Sequence, residues 1–247
     1  MINLLHGDCL EFMKGMPDGS VDMVLADPPY GTTQCIWDSI IDLPLMWEQL
    51  KRVIKPNGAI VMTASQPFTT TLISSNMKMF RYDMVWDKVN KYTGALNANK
   101  MPMRRHEGVI VFYKKLPTFN KQYRDGKAYI SRQSKGHGDH TNYGNSEGHT
   151  TVNYGSRNPC SIIEIKADNK KELGLHPTQK PIALMEYLIK TYTNEDDTVL
   201  DFAMGSGTTG VACKKLGRSF IGMELDEGYF DIAKDRIEKT PVSGEQL

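Results

Sequence analysis

Thr198-Val199-Leu200-Asp201-Phe202-Ala203-Met204-Gly205-Ser206-Gly207-Thr208-Thr209-Gly210 reads as a buried strand, a glycine turn and the start of a helix. Gly205, Gly207 and Gly210 satisfy G-x-G-x-x-G, and the next apolar run, Ser219–Met223, leads into Glu224. Such a turn lets backbone amides approach a nucleotide closely, and an acid beyond the second strand suits ribose hydroxyls. The position of the unit is the informative part. Only 37 residues follow Gly210, too few for the rest of a doubly wound sheet. The remaining strands must therefore precede the nucleotide unit, as in a circular permutation. A dinucleotide dehydrogenase normally opens with this unit, so the order counts against an NAD enzyme.

Upstream, the runs Val21–Ala26, Gly58–Thr63, Tyr82–Trp86 and Gly108–Tyr113 read as further buried strands. Met46, Trp47, Leu50, Val53 and Ile54 fall on one helical face, with Pro44 early in the helix and Lys55-Pro56-Asn57-Gly58 stopping it. Ile182, Met185, Leu188, Ile189 and Tyr192 make a second stripe, and Tyr229, Phe230, Ala233 and Ile237 a third. Strand–helix alternation predicts an α/β fold: a doubly wound, mostly parallel sheet covered on both faces. The stripes are core.

Asp27-Pro28-Pro29-Tyr30 follows the Val21–Ala26 strand at its C-terminal edge, where open α/β sheets place their sites. Two prolines hold the backbone extended and remove two N–H donors. Outward carbonyls remain, with a carboxylate before them and an aromatic ring after them. That set suits a planar amino group on a stacked base: two acceptors for two hydrogens, and a ring to lie against.

The 247 residues carry 30 Lys and Arg against 29 Asp and Glu, a net charge of +1. The average hides a segregation. Between Lys88 and Lys135, twelve cations meet only Glu107 and Asp125, a net of +10, while the rest of the chain carries −9. Tyr92, Phe112, Tyr113, Phe119, Tyr123 and Tyr129 are interleaved with those cations. Cations neutralise phosphates and aromatics stack on bases, so the segment reads as a nucleic-acid surface. Lys88, Lys91, Lys100, Arg104, Arg105, Lys121, Arg124 and Arg132 are its candidate DNA contacts. From Lys114 to Leu175 the periodicity breaks down, and Gly136–Tyr154 is polar and glycine-rich. This predicts a loop-rich insertion over 114–175, between catalytic segments 1–113 and 176–238, with 239–247 a flexible tail.

Other classes are disfavoured. No run of about 18 apolar residues exists to span a membrane, and Met1–Glu11 lacks the build of a signal peptide. Cys9, Cys35, Cys160 and Cys213 never form C-x-x-C, which argues against a zinc ribbon or disulfide framework and suits a reducing cytoplasm. His137, His140 and His149 have no cysteine or carboxylate completing a metal set, so no metal is expected.

The order of these features resembles the exocyclic-amino (N6-adenine/N4-cytosine) DNA methyltransferases of the permuted β group. In that family D-P-P-Y comes first, a target-recognition insertion follows, and the F-x-G-x-G motif that binds S-adenosylmethionine (SAM) comes last. His176-Pro177-Thr178-Gln179-Lys180-Pro181 matches the family's H-P-T-Q-K-P segment. Gly7-Asp8-Cys9 matches its N-terminal G-D-C, Trp37-Asp38 its W-D, and Arg105-His106-Glu107 resembles its element before a late strand.

The resemblance implies a Rossmann-like methyltransferase fold, SAM as cofactor, and a flipped-out base in double-stranded DNA as substrate. It also implies homodimers. Asp27 and the Pro28 carbonyl would accept the two amino hydrogens, Pro29 would stiffen the loop, and Tyr30 would stack on the base. Phe202, Gly205, Ser206, Gly207, Thr208 and Thr209 would line the methionine end of SAM, with Thr178 and Lys180 bordering it. Glu224 would hold the ribose, Asp8 and the Cys9 amide would read the adenine, and Asp27 would also meet the ammonium. D-P-P-Y, where cytosine-N4 enzymes more often have S-P-P-Y, favours adenine.

Overall fold

The computed structural model describes residues 1–31, 40–133, 148–168 and 179–241. In chain order it contains β1 (Ile2–His6), α1 (Cys9–Lys14), β2 (Val21–Ala26), α2 (Leu43–Val53), β3 (Ile54–Ala64), α3 (Phe68–Ser75), β4 (Phe80–Asp87) and β5 (His106–Phe112). There follow β6 (Arg124–Asp125), β7 (Tyr129–Gln133), β8 (His149–Asn153), β9 (Ser156–Arg157) and β10 (Ile162–Glu164). The chain closes with α4 (Ile182–Tyr192), β11 (Thr198–Asp201), α5 (Thr208–Lys215), β12 (Ser219–Glu224) and α6 (Glu227–Lys239). It divides into two compact units, Met1–Asn120 with Ser161–Leu247, and Lys121–Cys160.

The larger unit is built on an eight-stranded sheet of order β1-β12-β11-β2-β3-β5-β4-β10. Neighbours run parallel except at β5, which is antiparallel to both β3 and β4. The apolar runs are continuous because both faces are buried. Met23 and Leu25 of β2, Ala59 and Val61 of β3, and Val109 and Val111 of β5 pack with Leu184, Leu188, Val211, Ala212, Ala233 and Ile237 from α4, α5 and α6. The alternate residues Val24, Ala26, Ile60, Met62, Ile110 and Phe112 pack with Met13, Met46, Trp47, Leu50, Phe68 and Leu72 from α1, α2 and α3. This period-two division of one apolar strand between two helix layers is the doubly wound fold.

Two edge strands escape the apolar-run reading. β1 is half-exposed along its length, and β10 is three residues long inside a polar stretch. The smaller unit pairs β6 with β9 and β7 with β8, both antiparallel. It spans less than 114–175. Lys114 Nζ donates to the Lys51 carbonyl, Asn120 N to the Thr191 carbonyl, and β10 pairs with β4, so both flanks belong to the larger unit.

The strand order places the site. From β11 the chain crosses through α5 to β12 on one side, whereas from β2 it crosses through α2 to β3 on the other. β11 and β2 lie side by side, with Leu200 opposite Val24. Their C-terminal ends therefore flank the crevice where the winding reverses, the position at which such sheets bind ligands. Asp27 leaves one side of it and the glycine turn leaves the other.

Candidate active site

Asp27 follows the last residue of β2 and is held by three donors from three parts of the larger unit. The Tyr30 hydroxyl donates to Oδ1 at 2.5 Å, the Thr63 hydroxyl at the end of β3 also donates to Oδ1, and Lys180 Nζ lies 2.5 Å from Oδ2. A carboxylate has about four acceptor sites, so this arrangement leaves one on Oδ2. Pro28 is buried, and no described residue donates to its carbonyl. Among the described residues, one carboxylate site and this carbonyl are thus left without a donor. Burial, then the neighbouring Asp27 charge, holds the Tyr30 phenol well above its ordinary value, so it remains a donor. Two ring contacts of Tyr30 are taken: it stacks on Phe68 at 5.3 Å and 22°, and Lys180 Nζ lies 5.7 Å from its ring centroid.

Lys180 is the centre of an ion chain. Its ammonium lies 3.2 Å from Glu107 Oε2 as well as against Asp27, and Glu107 Oε1 pairs with Lys88 at 2.5 Å. Lys180 and Lys88 are both buried, and two cations balance two carboxylates. Burial alone would lower the Lys180 ammonium, but Asp27, Tyr30 and Glu107 outweigh it and raise it well above its usual value. Glu107 comes from the start of β5, which meets the site because β5 runs against its neighbours.

The second wall is the turn between β11 and α5. Gly205 at φ +50° and Gly207 at φ +78° occupy left-handed backbone, and at Gly207 a Cβ would stand 2.9 Å from the Ala233 Cβ. Nothing lies within 4 Å of a Cβ built on Gly205, so the turn faces open space there. Glu224 secures this wall: Oε2 accepts from Gly205 N at 2.8 Å and Oε1 from Asp226 N at 2.9 Å. Burial raises its carboxyl above the ordinary range. Asp8 is exposed at the start of α1, where Oδ1 accepts from Leu10 N at 2.7 Å. Cys9 beside it is a thiol pushed up to about 12, by burial and then by Asp8.

Three sequence expectations change here. Phe202 is 1% exposed and packs in the core, so only its backbone can line a ligand. The Thr209 hydroxyl is buried and donates to Asp201 Oδ2 at 2.6 Å, bracing the turn from inside. The Ser206 hydroxyl donates to Gln179 and accepts from Arg236, so it joins the turn to the segment before α4. Thr178, Trp37, Asp38 and His176 lie outside the described residues.

Residues 21–235 match the N6_N4_Mtase model, described as DNA methylase. The chain belongs to this DNA methylase family. Type II methyltransferase M.HpaI of Haemophilus parainfluenzae is 29% identical over 253 residues, covering 95% of this chain and 74% of that relative. Among solved structures, the M1.HpyAVI–SAM complex matches with a TM-score of 0.65 at 28% identity, covering 96% of this chain and 99% of that one. The cytosine-N4-specific PvuII DNA methyltransferase matches with a TM-score of 0.69, covering 98% of this chain and 88% of that one. At 17% identity this last likeness is one of fold.

The cofactor of this DNA methylase is SAM, and the residues suit it. The open space at Gly205 and the first turn of α5, which has no side-chain cap, would receive its anionic end, and the carboxylates of Glu224 and Asp8 would offer acceptors to its ribose and adenine.

The basic residues separate into two kinds. Lys88 is buried on Glu107, and Arg105 clamps Asp87 with Nε and Nη2 at 2.7 and 2.6 Å. Lys88 is spent inside the protein, which corrects its reading as a phosphate contact, whereas Arg105 remains exposed while paired with Asp87. Lys91, Lys100 and Arg104 stay on the outside of the β4–β5 segment. In the smaller unit Lys121, Arg124 and Arg132 are exposed. Asn153 and Arg157, chemically suited to base edges, bond to one another and to nearby backbone, so they shape the turn between β8 and β9. His137, His140, Asn142 and Asn145 lie outside the described residues. Among the described residues no group of three His, Cys, Asp or Glu is placed to hold a metal, and no helix is long and apolar enough to cross a membrane.

Sequence reading missed Thr63 and Glu107. Signals for both were present. Thr63 is a hydroxyl in the apolar run Ala59–Ala64, and Glu107 is one of two acids in a segment carrying twelve cations.

Proposed function

We propose that this chain is a site-specific adenine-N6 DNA methyltransferase that acts on a base flipped out of the duplex. The observation that carries the reading is the acceptor pair at Asp27 Oδ2 and the Pro28 carbonyl, beside the glycine turn. An aryl amine is a weak nucleophile because its lone pair is delocalised into the ring. Hydrogen bonds to both amino hydrogens favour a pyramidal nitrogen with a localised lone pair. Bound SAM supplies an electrophilic methyl group on a sulfonium. The chain's own contribution is to orient the amine, exclude water and stabilise developing positive charge with the Asp27 carboxylate. No separate strong base is needed, since the cationic product releases its proton readily to Asp27 or water. Thr63 and Lys180 hold that carboxylate in place.

The target atom is out of reach inside a duplex, and extrusion costs a few kcal/mol. Stacking on Tyr30 offsets part of this, at about 1–3 kcal/mol per base. Aspartate at position 27 favours adenine over cytosine. The exposed cations of the β4–β5 segment bind the backbone, and the unit spanning 121–160 reads the sequence.

Mapping methylated bases in DNA from cells expressing the protein tests the reading. The expected result is N6-methyladenine at one short site, lost on Asp27→Ala with a fall in rate of roughly 100-fold or more while SAM binding persists. N4-methylcytosine at the site would move the assignment to cytosine. An active Asp27→Ala variant would overturn the mechanism.

A further inference from the structure

We infer that residues 88–105, between β4 and β5, form an arm whose tip residue, Leu96, enters the gap left in the duplex when the target base is extruded. The inference rests on the function proposed above. β4 is parallel to β2 and β3 across the antiparallel β5, so the arm leaves the sheet at the edge that carries Asp27 and the glycine turn.

The root of the arm is fixed. Lys88 N donates to the Arg105 carbonyl at 3.0 Å, and Thr93 and Arg104 exchange two backbone bonds at 2.8 and 2.9 Å. Asn90 bonds both backbone groups of Ala167, and Arg104 donates to the Gln66 carbonyl. Val89 is held at φ +60°, a rare conformation for a β-branched residue, with its amide on Asp87 Oδ1. The Lys88–Glu107 pair joins this root to the ammonium of Lys180, which rests on Asp27. The arm is therefore linked to Asp27, the group that orients the amine, through three successive ion pairs.

The tip has the opposite character. Gly94, in left-handed backbone, turns the chain into a single helical turn, Ala95–Asn97, on which Leu96 is fully exposed. Tyr92, Met101 and Met103 on the same arm are exposed as well. Isolated surface apolar residues are ordinary, but these four, with Val89 at the root also exposed, share one anchored arm at the catalytic edge and are not scattered. Their surroundings select the occupant. No acid occurs from Lys88 to Arg105, and Lys91, Asn97, Asn99, Lys100 and Arg104 flank the apolar tip. The core of a protein–protein patch is depleted of charge. A duplex offers apolar base faces between two rows of phosphates, which is the pattern this arm complements. Extrusion leaves the neighbouring bases without a stacking partner, and an inserted apolar side chain restores contact there.

The test compares the wild-type chain with Leu96→Ala and Leu96→Met, on duplexes carrying the mapped site. The target base is either normally paired or opposite an abasic position, where extrusion costs less. Single-turnover methylation and the fluorescence of 2-aminopurine at the target are the readouts. Leu96→Ala should slow methylation of the paired duplex by roughly tenfold or more, yet stay within about twofold of wild type on the abasic-opposed duplex. Leu96→Met should recover most of the paired-duplex rate, with SAM affinity unchanged in both variants. Wild-type rates for Leu96→Ala on the paired duplex would overturn the inference, and so would equal losses on both duplexes. A change of oligomeric state in sedimentation with flipping intact would also overturn it, making the tip a contact between copies. A wild-type chain that binds SAM but methylates no duplex would instead overturn the function on which the arm depends.

Discussion

Lys180 stands 153 residues from Asp27 in the chain and 2.5 Å from it in the fold. Asp27–Tyr30 is legible in the sequence because its chemistry sits in four consecutive residues at a strand end. That Thr63 and Lys180 bond to the Asp27 carboxylate and Glu107 pairs with Lys180 was not legible, since the three come from distant segments brought together by the sheet order. Glu107 shows what the arrangement costs and returns. Burial would raise its carboxyl, but Lys180 and then Lys88 outweigh burial and hold it below the ordinary 4.5. Folding therefore favours the ionised form, and this stabilisation is fully present above the unfolded value. It is lost as pH falls through the lower folded value. Glu107→Gln leaves the buried Lys88 ammonium without its carboxylate and Lys180 with Asp27 alone, and should cost roughly 3–5 kcal/mol at neutral pH. The gap to wild type should narrow in acid. Urea unfolding at neutral and acid pH measures this, and a pH-independent gap would contradict it.

Among the elements, the six apolar runs expected as strands all appear, because a strand buried on both faces needs an unbroken apolar sequence. β1 and β10 were illegible for the converse reason: edge strands carry polar, half-exposed residues. Residues 55–58, expected only to stop α2, are part of β3, and the β2–β3 register shifts between Val21 and Met23 to absorb them. That irregularity is where a sheet tolerates Pro56. The β11–α5 turn carries a hidden titration. Asp201 ends β11, accepts from Ala203 N and the Thr209 hydroxyl, and is pushed up to about 7 by burial. Its folded value exceeds the unfolded 3.8, so folding favours the protonated form. The resulting penalty sets in as pH rises above 3.8 and is complete above about 7. Asp201→Asn keeps an oxygen for Ala203 N and lets the Thr209 hydroxyl accept instead. Its melting temperature should fall less than that of wild type as pH rises across this window. Identical slopes in thermal melts would refute the assignment.

At the scale of the molecule, the permuted order was legible because Asp27–Tyr30 and its strands precede the glycine turn in the chain. The limits of the smaller unit were not, since polar segments look alike whether they pack on a sheet or stand apart. Lys114–Asn120 and β10 read as insertion yet bond to the larger unit. The net charge of +1 likewise conceals two uses of basic residues: Lys88 and Lys180 are spent on internal carboxylates, and Lys91, Lys100, Lys121, Arg124 and Arg132 remain for a polyanion. Among the described residues, the strands within 121–160 pair with one another, β6 with β9 and β7 with β8. On either side of it, Asn120 N is bonded to the Thr191 carbonyl and the Ser161 carbonyl to Val85 N. Replacing 121–160 with a short glycine–serine linker should therefore leave the larger unit folded and its SAM affinity within about threefold of wild type. Methylation at the mapped site should vanish, because the residues proposed to read it are gone. Calorimetry with SAM and base mapping on the same preparation separate the two effects. Lost SAM binding would show that the unit supports the catalytic fold, and retained site-specific methylation would place target reading in the larger unit.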